Sequence, residues 1–386
     1  MFPESSEIYN YTNKTTIASE PRFSGAVVLE KPSTNSADYQ LQIAYRLYNR
    51  KTAVKSGPKV NLVFHHGNGM NKGIWHYQID QWFNILPNLD SVLAVDCVSH
   101  GQSAKLNRGK LGYAVSWIDI AKDVIKVVKY DEKDIFLQPN VVNIFVGHSL
   151  GGMVSFITAY FEPTLFDAIV PLNPVAQVDQ DRADLLSMVF QRWQETEKIS
   201  NRYPVEKGET YEDAVWRYYK TKSFFKKFDD KILQNMLEDD YTDERSIKHG
   251  FAYTNTDAQQ EFLLYFGGSP SIARIQGIYD QITTPVYHIV GEFDTAGDTA
   301  VEAIRESMKK VIHPIDIPKA THLVNAESPQ LFVEILRNII LERVDIFHKS
   351  GDIRYPDSHY LKTIGIDYKS QLLKRHFEEG FLSYKL

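Results

Sequence analysis

Short apolar runs, most of them closed by glycine, histidine or asparagine, alternate along this chain with stretches whose apolar positions recur every three or four residues. The runs read as buried strands, and the longer period reads as helices that cover them. Strands are expected at 60–64, 91–95, 141–146, 168–172, 285–290 and 312–317. Helices are expected at 75–85, along the stripe Ile118, Ala121, Ile125 and Val128, at 153–161, and after Ser328 and Pro329, a serine cap with proline in the first turn. Strand and helix in turn predict an α/β class with a mostly parallel central sheet flanked by helices.

Two stretches depart from that rhythm. Residues 1–24 are polar and mixed, and are expected to be a loosely held N-terminal arm. After it, 25–31 and 39–49 are expected to pair as a hairpin, with 51–59 as a polar linker. From 175 to 281 the period turns helical, with helices expected at 184–200, 210–228, 231–237 and 257–266. The chain therefore divides into a core of residues 25–174 and 282–345, a helical cap of 175–281, and a C-terminal extension of 346–386. At helical spacing the aromatic residues Trp216, Tyr218, Tyr219, Phe224, Phe225 and Phe228 read first as the cap's own packing. Tyr218, Tyr219, Phe224 and Phe225 are the candidates to line an apolar substrate cavity.

Composition narrows the partners. A hydrophobic content of 43% with 24% charged residues is that of a globular chain, and the formal net charge of −6 provides no whole-chain attraction for nucleic acid. A single cysteine, Cys97, excludes an internal disulfide and a cysteine-based zinc site. No apolar run reaches the length of a membrane span, and the acidic start is not expected to act as a secretory or mitochondrial leader. Neither a metal nor a cofactor is expected.

The chemistry centres on Gly147-His148-Ser149-Leu150-Gly151-Gly152, which lies between an expected strand and an expected helix. G-x-S-x-G in that context is a nucleophile elbow: a sharp turn lifts the serine hydroxyl above the sheet. The amide of Leu150, opening the helix, points to where an oxyanion would form. His65-His66-Gly67-Asn68-Gly69 follows an earlier strand, and Asn68 is the candidate for the second backbone donor; His66 is expected to shape the loop. The strand end at Asn173 holds no ionisable group, so the acid must come later. Asp294 follows the 285–290 strand, with Glu292 as its competitor, and His322 follows the last strand. Ser149, Asp294 and His322 keep the chain order of the α/β-hydrolases. The histidine would take the serine proton, the aspartate would hold the imidazole, and the serine would carry an acyl group.

Several segments taken together resemble a particular group. They are Leu62 to Met70, Asn107 to Gly112, Ser116 to Asp119, Gly147 to Gly152, Ser223 to Phe225, Ile232 to Asn235 and Thr321 to Asn325. Over about 60–341, cap included, the chain is similar to the fungal peroxisomal α/β-hydrolases, the group of the yeast peroxisomal lipase. The resemblance implies a capped α/β-hydrolase acting on acyl esters, with the nucleophile at Ser149, the base at His322, and peroxisomal import. Asp294 rests on position alone. The terminal Tyr384-Lys385-Leu386 keeps the Lys-Leu of an S-K-L signal but has tyrosine where a small residue is usual. With the resemblance it is read as a ligand for the peroxisomal import receptor, which places the protein in the peroxisome matrix, the cytoplasm being the alternative. Residues 369–379 are expected to form an amphipathic helix packed on the body. The expected function is hydrolysis of carboxylic esters with apolar acyl chains, of the lipase or esterase type. An acyltransferase or acyl-CoA thioesterase on the same triad, and a non-catalytic binding protein on a hydrolase scaffold, are the alternatives.

Overall fold

A computed structural model describes residues 6–29, 31–177, 202–294 and 297–350. Eight strands form one sheet: β1 (Tyr9–Ile17), β2 (Gln42–Arg50), β3 (Lys59–His65), β4 (Leu89–Val95), β5 (Val141–His148), β6 (Ala168–Leu172), β9 (Val286–Phe293) and β10 (Ile312–Thr321). Their spatial order is β1-β2-β4-β3-β5-β6-β9-β10. β2 is antiparallel to both of its neighbours, and every pairing from β4 to β10 is parallel. A parallel sheet must be covered on both faces, and all eight residues of β5 are buried.

Alternate side chains of the central strands go to opposite faces. Leu62, Phe64, Val142, Ile144 and Val146 join Trp75, Trp82, Phe332 and Leu336 on one side. Val63 and Phe145 join Trp117, Val124, Met153 and Phe156 on the other. Trp82 is fully buried, stacks on Phe64 with ring centroids 5.3 Å apart, and donates its indole N–H to the Val333 carbonyl at 3.0 Å. A polar pair inside the central strands is matched in register: Asn61 donates to Asn143 at 3.1 Å across β3 and β5.

The N-terminal arm and the hairpin are corrected here. Residues 9–17 are a sheet strand, β1, paired with β2 from Tyr9–Arg50 to Ile17–Gln42. Only Tyr9 of β1 is buried, so the strand shows none of the apolar alternation by which the others were found. What marks it is β-branched content, Thr12, Thr15, Thr16 and Ile17, on an edge facing solvent. The following segment is tied down as well: Arg22 reaches both carboxylate oxygens of Asp123, at 2.8 and 3.0 Å. With β1 on β2, the described residues of 25–31 instead meet 110–114, with a bridge at Val27–Leu111.

The helices Tyr211–Thr221, Asp230–Asp240 and Ala258–Ile275 lie within the stretch assigned to the cap. The expected helix at 184–200 lies outside the described residues, as do the 369–379 segment and the terminal tripeptide. Thr210 caps the first of the three through a reciprocal bond pair with Asp213. That helix stops at Thr221, short of the 228 expected. A two-stranded ribbon, β7 (Arg202–Pro204) with β8 (Phe251–Tyr253), was not expected.

A buried charge cluster joins helix Asp230–Asp240 to the sheet. Asp239 sits 2.6 Å from Arg46 of β2 and 3.4 Å from Lys72, and Lys72 lies 3.0 Å from Asp96 after β4. Two cations meet two carboxylates, so the buried net charge is zero. Burial opposes ionisation of Asp239, but Arg46 and then Lys72 outweigh it and hold the carboxyl below its usual range. Removing one member leaves the others uncompensated. Asp239→Ala is expected to lower unfolding free energy by about 3–5 kcal/mol, measured from urea midpoints; a loss under about 1 kcal/mol would show the cluster to be dispensable.

Candidate active site

The turn from β5 into helix Leu150–Phe161 is built by crowding. A Cβ on Gly147 would stand 1.9 Å from the Gly151 carbonyl oxygen, and one on Gly151 would stand 2.3 Å from the His65 carbonyl oxygen. Neither position accepts a side chain. Between them Ser149 is held at φ +56°, ψ −114°, a conformation that costs a non-glycine residue about 1–3 kcal/mol. Its own amide donates to Leu172 of β6 at 2.9 Å, and its carbonyl accepts from Gly152 at 3.0 Å and Val175 at 3.2 Å.

Asp294 follows the last residue of β9, and His322 follows the last residue of β10. His322 Nε2 is 2.9 Å from Ser149 Oγ, and His322 Nδ1 is 2.5 Å from Asp294 Oδ1. A carboxylate accepts only, so Nδ1 carries the proton and Nε2 is left to accept from the hydroxyl. The Asp294 side chain is 3% exposed. Glu292 is occupied elsewhere: its Oε2 accepts the amide of Lys319 at 2.7 Å, within the bulge of β10.

The loop after β3 lies directly against the elbow, because His65 and Gly147 are register partners. A Cβ on Gly67 would stand 3.2 Å from the Ser149 Cβ. His66 accepts the Cys97 amide through Nε2 at 3.0 Å and donates Nδ1–H to the Gly67 carbonyl at 2.8 Å, so it shapes the loop. The Asn68 side chain donates to the Glu261 carbonyl at 3.0 Å, and the Gly69 amide is bound by Asn68 Oδ1 and His100 Nε2, each at 3.0 Å. Among the described residues, no acceptor is found for the amides of Asn68 and Leu150; the latter opens a helix and has no partner within it.

Of the four aromatic candidates, Phe225 comes closest to this loop: its Cζ would lie 3.1 Å from a Cβ on Gly69. Tyr219 stacks on Phe225 at 5.9 Å and 10°. Tyr218 packs on Tyr203 inside the cap, and Phe224 is 46% exposed. A cavity of about 730 Å³ opens elsewhere, between residues 104–111 and 242–260, lined by Lys105, Arg108, Tyr253, Asn255 and Gln260. Ser149, Asp294 and His322 are not among its walls.

Two residues were given no role in the sequence reading, Asn173 being noted there only as a strand end that cannot ionise. His148 donates Nε2–H to the His322 carbonyl at 2.8 Å. Asn173, fully buried after β6, donates to the carbonyls of Thr321 at 3.1 Å and His322 at 3.0 Å and accepts the Gly291 amide at 2.8 Å. The position of Asn173 at a strand end was legible, whereas the direction of its side chain was not.

Several histidines, some beside the site and others elsewhere in the molecule, are buried. Burial is the first cause that lowers His65 to about 4, and His76, His100, His148 and His288 to about 3, with His66 also well below 6.5. A depressed imidazole contributes stability above the unfolded value of about 6.5, and that stability is lost as pH falls toward the folded value. Each group removes about 1.4 kcal/mol per pH unit in that window. Asp96 and Asp240, both raised by burial, act with the opposite sign but are outnumbered. Acid unfolding is therefore expected between about pH 4 and 5.5, with several protons taken up per molecule. A circular-dichroism titration still native near pH 3.5 would refute this.

A family model described as the alpha/beta hydrolase family matches residues 62–335. The peroxisomal membrane protein LPX1 of Saccharomyces cerevisiae is 28% identical over 343 residues, covering 86% of this chain and 87% of that protein. The solved structure of the peroxisomal alpha-beta-hydrolase Lpx1 from the same yeast superposes with a TM-score of 0.76 at 23% identity, over 99% of this chain and all of that one. Shorter matches are 29% identity over 176 residues to the type I acyl-CoA thioesterase mpaH' of Penicillium brevicompactum, 43% of this chain and 38% of that protein, and 30% over 133 residues to the monoglyceride lipase of Mus musculus, 34% and 40%. The match over 62–335, laid on a mostly parallel eight-stranded sheet flanked by helices, makes this chain a member of the alpha/beta hydrolase family.

Proposed function

We propose that the protein is a serine hydrolase that cleaves carboxylic esters with apolar acyl chains through a covalent acyl-enzyme. The observation that carries this reading is the unbroken relay from Ser149 Oγ to His322 Nε2 and from His322 Nδ1 to Asp294 Oδ1, at 2.9 and 2.5 Å. In this scheme Oγ attacks the ester carbonyl carbon while His322 removes its proton. The carbonyl oxygen becomes an oxyanion received by the amides of Asn68 and Leu150. Collapse of the tetrahedral species breaks the bond to the leaving alkoxide, which takes the proton from His322. Water, deprotonated by the same imidazole, then releases the acid and restores Ser149. Asp294 stays ionised throughout and stabilises the imidazolium. The scheme uses no metal and no cofactor. Phe225 and Tyr219, on the cap side of the oxyanion loop, supply apolar surface for the acyl chain.

A thioesterase is the second reading. The same acyl-enzyme forms from a CoA thioester, and the similarity to a Penicillium acyl-CoA thioesterase favours testing it. An acyltransferase would differ only in the acceptor. The peroxisome is the proposed setting, supported by the name of the yeast relative and by the terminal Tyr384-Lys385-Leu386.

Ser149→Ala is expected to lower kcat about 10⁶-fold and Asp294→Asn about 10⁴-fold, in a screen of p-nitrophenyl esters against acyl-CoAs, with urea midpoints kept. A fluorophosphonate should label wild type and fail on Ser149→Ala. Wild type that neither turns over nor labels would return the chain to the binding-protein alternative. Removal of the terminal tripeptide from a fluorescent fusion is expected to move it from peroxisomes to the cytoplasm.

A further inference from the structure

His322 stands where the sheet loses its hold. β10 pairs with β9 in step from Ile312 to Ile317, a bulge follows, and pairing resumes only at Thr321 with Phe293, where the strand ends, so the ladder does not reach His322. Its main-chain carbonyl is nevertheless bound twice. Asn173 Nδ2 lies 3.0 Å from that oxygen and His148 Nε2 lies 2.8 Å from it. A carbonyl oxygen has two lone pairs, and these two donors match them.

We infer that Asn173 and His148 are positioning residues that clasp the His322 carbonyl and thereby set the imidazole between Ser149 and Asp294. The role rests on the triad reading above. Each donor is anchored to another part of the relay. His148 immediately precedes Ser149, so the clasp measures the distance from nucleophile to base. Asn173 also accepts the Gly291 amide at 2.8 Å and donates to Thr321 at 3.1 Å, so one side chain ties β9, which delivers Asp294, to β10, which delivers His322.

The residue types fit the task. Asn173 sits at φ +43°, a region that asparagine enters more readily than most side chains. Its amide offers the two N–H donors and one acceptor that the three backbone partners require, which an ionised aspartate does not. His148 presents Nε2–H to the carbonyl, its Nδ1 is buried without a partner, and burial keeps the ring neutral at working pH. The imidazole beside the nucleophile is thus a neutral donor and does not compete with His322 for the proton.

Asn173→Gly removes the clasp while fitting the backbone, and Asn173→Asp keeps the acceptor but turns the donor against two carbonyls. His148→Leu removes the other donor, and His148→Gln replaces it with an amide N–H. Asn173→Gly, Asn173→Asp and His148→Leu are each expected to lower kcat and the fluorophosphonate labelling rate about 10–100-fold, with KM within about threefold. His148→Gln should recover most of the labelling rate. The downfield proton NMR signal of His322 Nδ1–H, which needs no turnover, should broaden or shift in the three impaired variants and stay in place in His148→Gln. Wild-type kcat and an unmoved signal in Asn173→Gly and His148→Leu would overturn the clasp, as would a lower Tm with the signal unchanged. If wild type neither labels nor turns over, the triad reading fails, and the clasp is judged by the proton signal alone.

Discussion

Three backbone segments meet at the elbow with no room between them. The β5 end, the start of helix Leu150–Phe161 and the end of β3 approach so closely that Gly147 and Gly151 have no space for even a methyl group. The crowding holds Ser149 in a conformation it would not adopt alone. The strain is small beside the burial around it: β5 is covered on both faces, and its neighbours β3 and β6 are paired with it along most of their length. A rigid sheet over-determines one turn, and the turn presents one hydroxyl.

The rest of the site inherits its geometry from the same sheet. Register pairs Gly147 with His65, His148 with Leu172, and Leu172 with Ile289. Of these four adjacent parallel strands, β3, β5 and β6 therefore release their chains at one level, and β9 runs on past Ile289 to Phe293. Several polar contacts tie the helices of 211–275 to this platform, two of which lie near the site and the sheet. Asn68 holds the first turn of helix Ala258–Ile275 through the Glu261 carbonyl, and Asp239 holds Arg46 and Lys72 inside a neutral cluster. The charge cluster, buried on every side, separates only at a large energetic cost, so it ties the Asp230–Asp240 helix firmly to the sheet.

Much of this was legible in the chain. The central strands were visible because strands buried on both faces read as unbroken apolar runs. The elbow was visible because its sequence sat between a run and a helical period. The order Ser149, Asp294, His322 was visible because each residue follows a strand end. β1 was missed for the opposite reason: an edge strand with one buried residue carries no apolar pattern. Glu292 and Asp294 could not be separated by position; their bonding separates them, one to the Lys319 amide and the other to His322. Asn173 was noted only as a strand end without an acid and His148 only as part of the elbow, because both bond main-chain carbonyls through side-chain direction, which a spacing rule does not encode.

Placing residues 9–17 in the sheet changes what the amino-terminal segment is for. β2 carries Ile43, Tyr45, Leu47 and Tyr48, all buried, and without β1 its outer row of backbone donors and acceptors would face water. The segment is a polar selvedge sewn along a sticky hem, with Thr12 and Thr15 turned outward and Lys14 paired to Glu132 at 2.7 Å. A molecule trimmed past Ile17 would offer a second trimmed molecule a ready-made antiparallel partner, and the sheet would grow across the boundary between them.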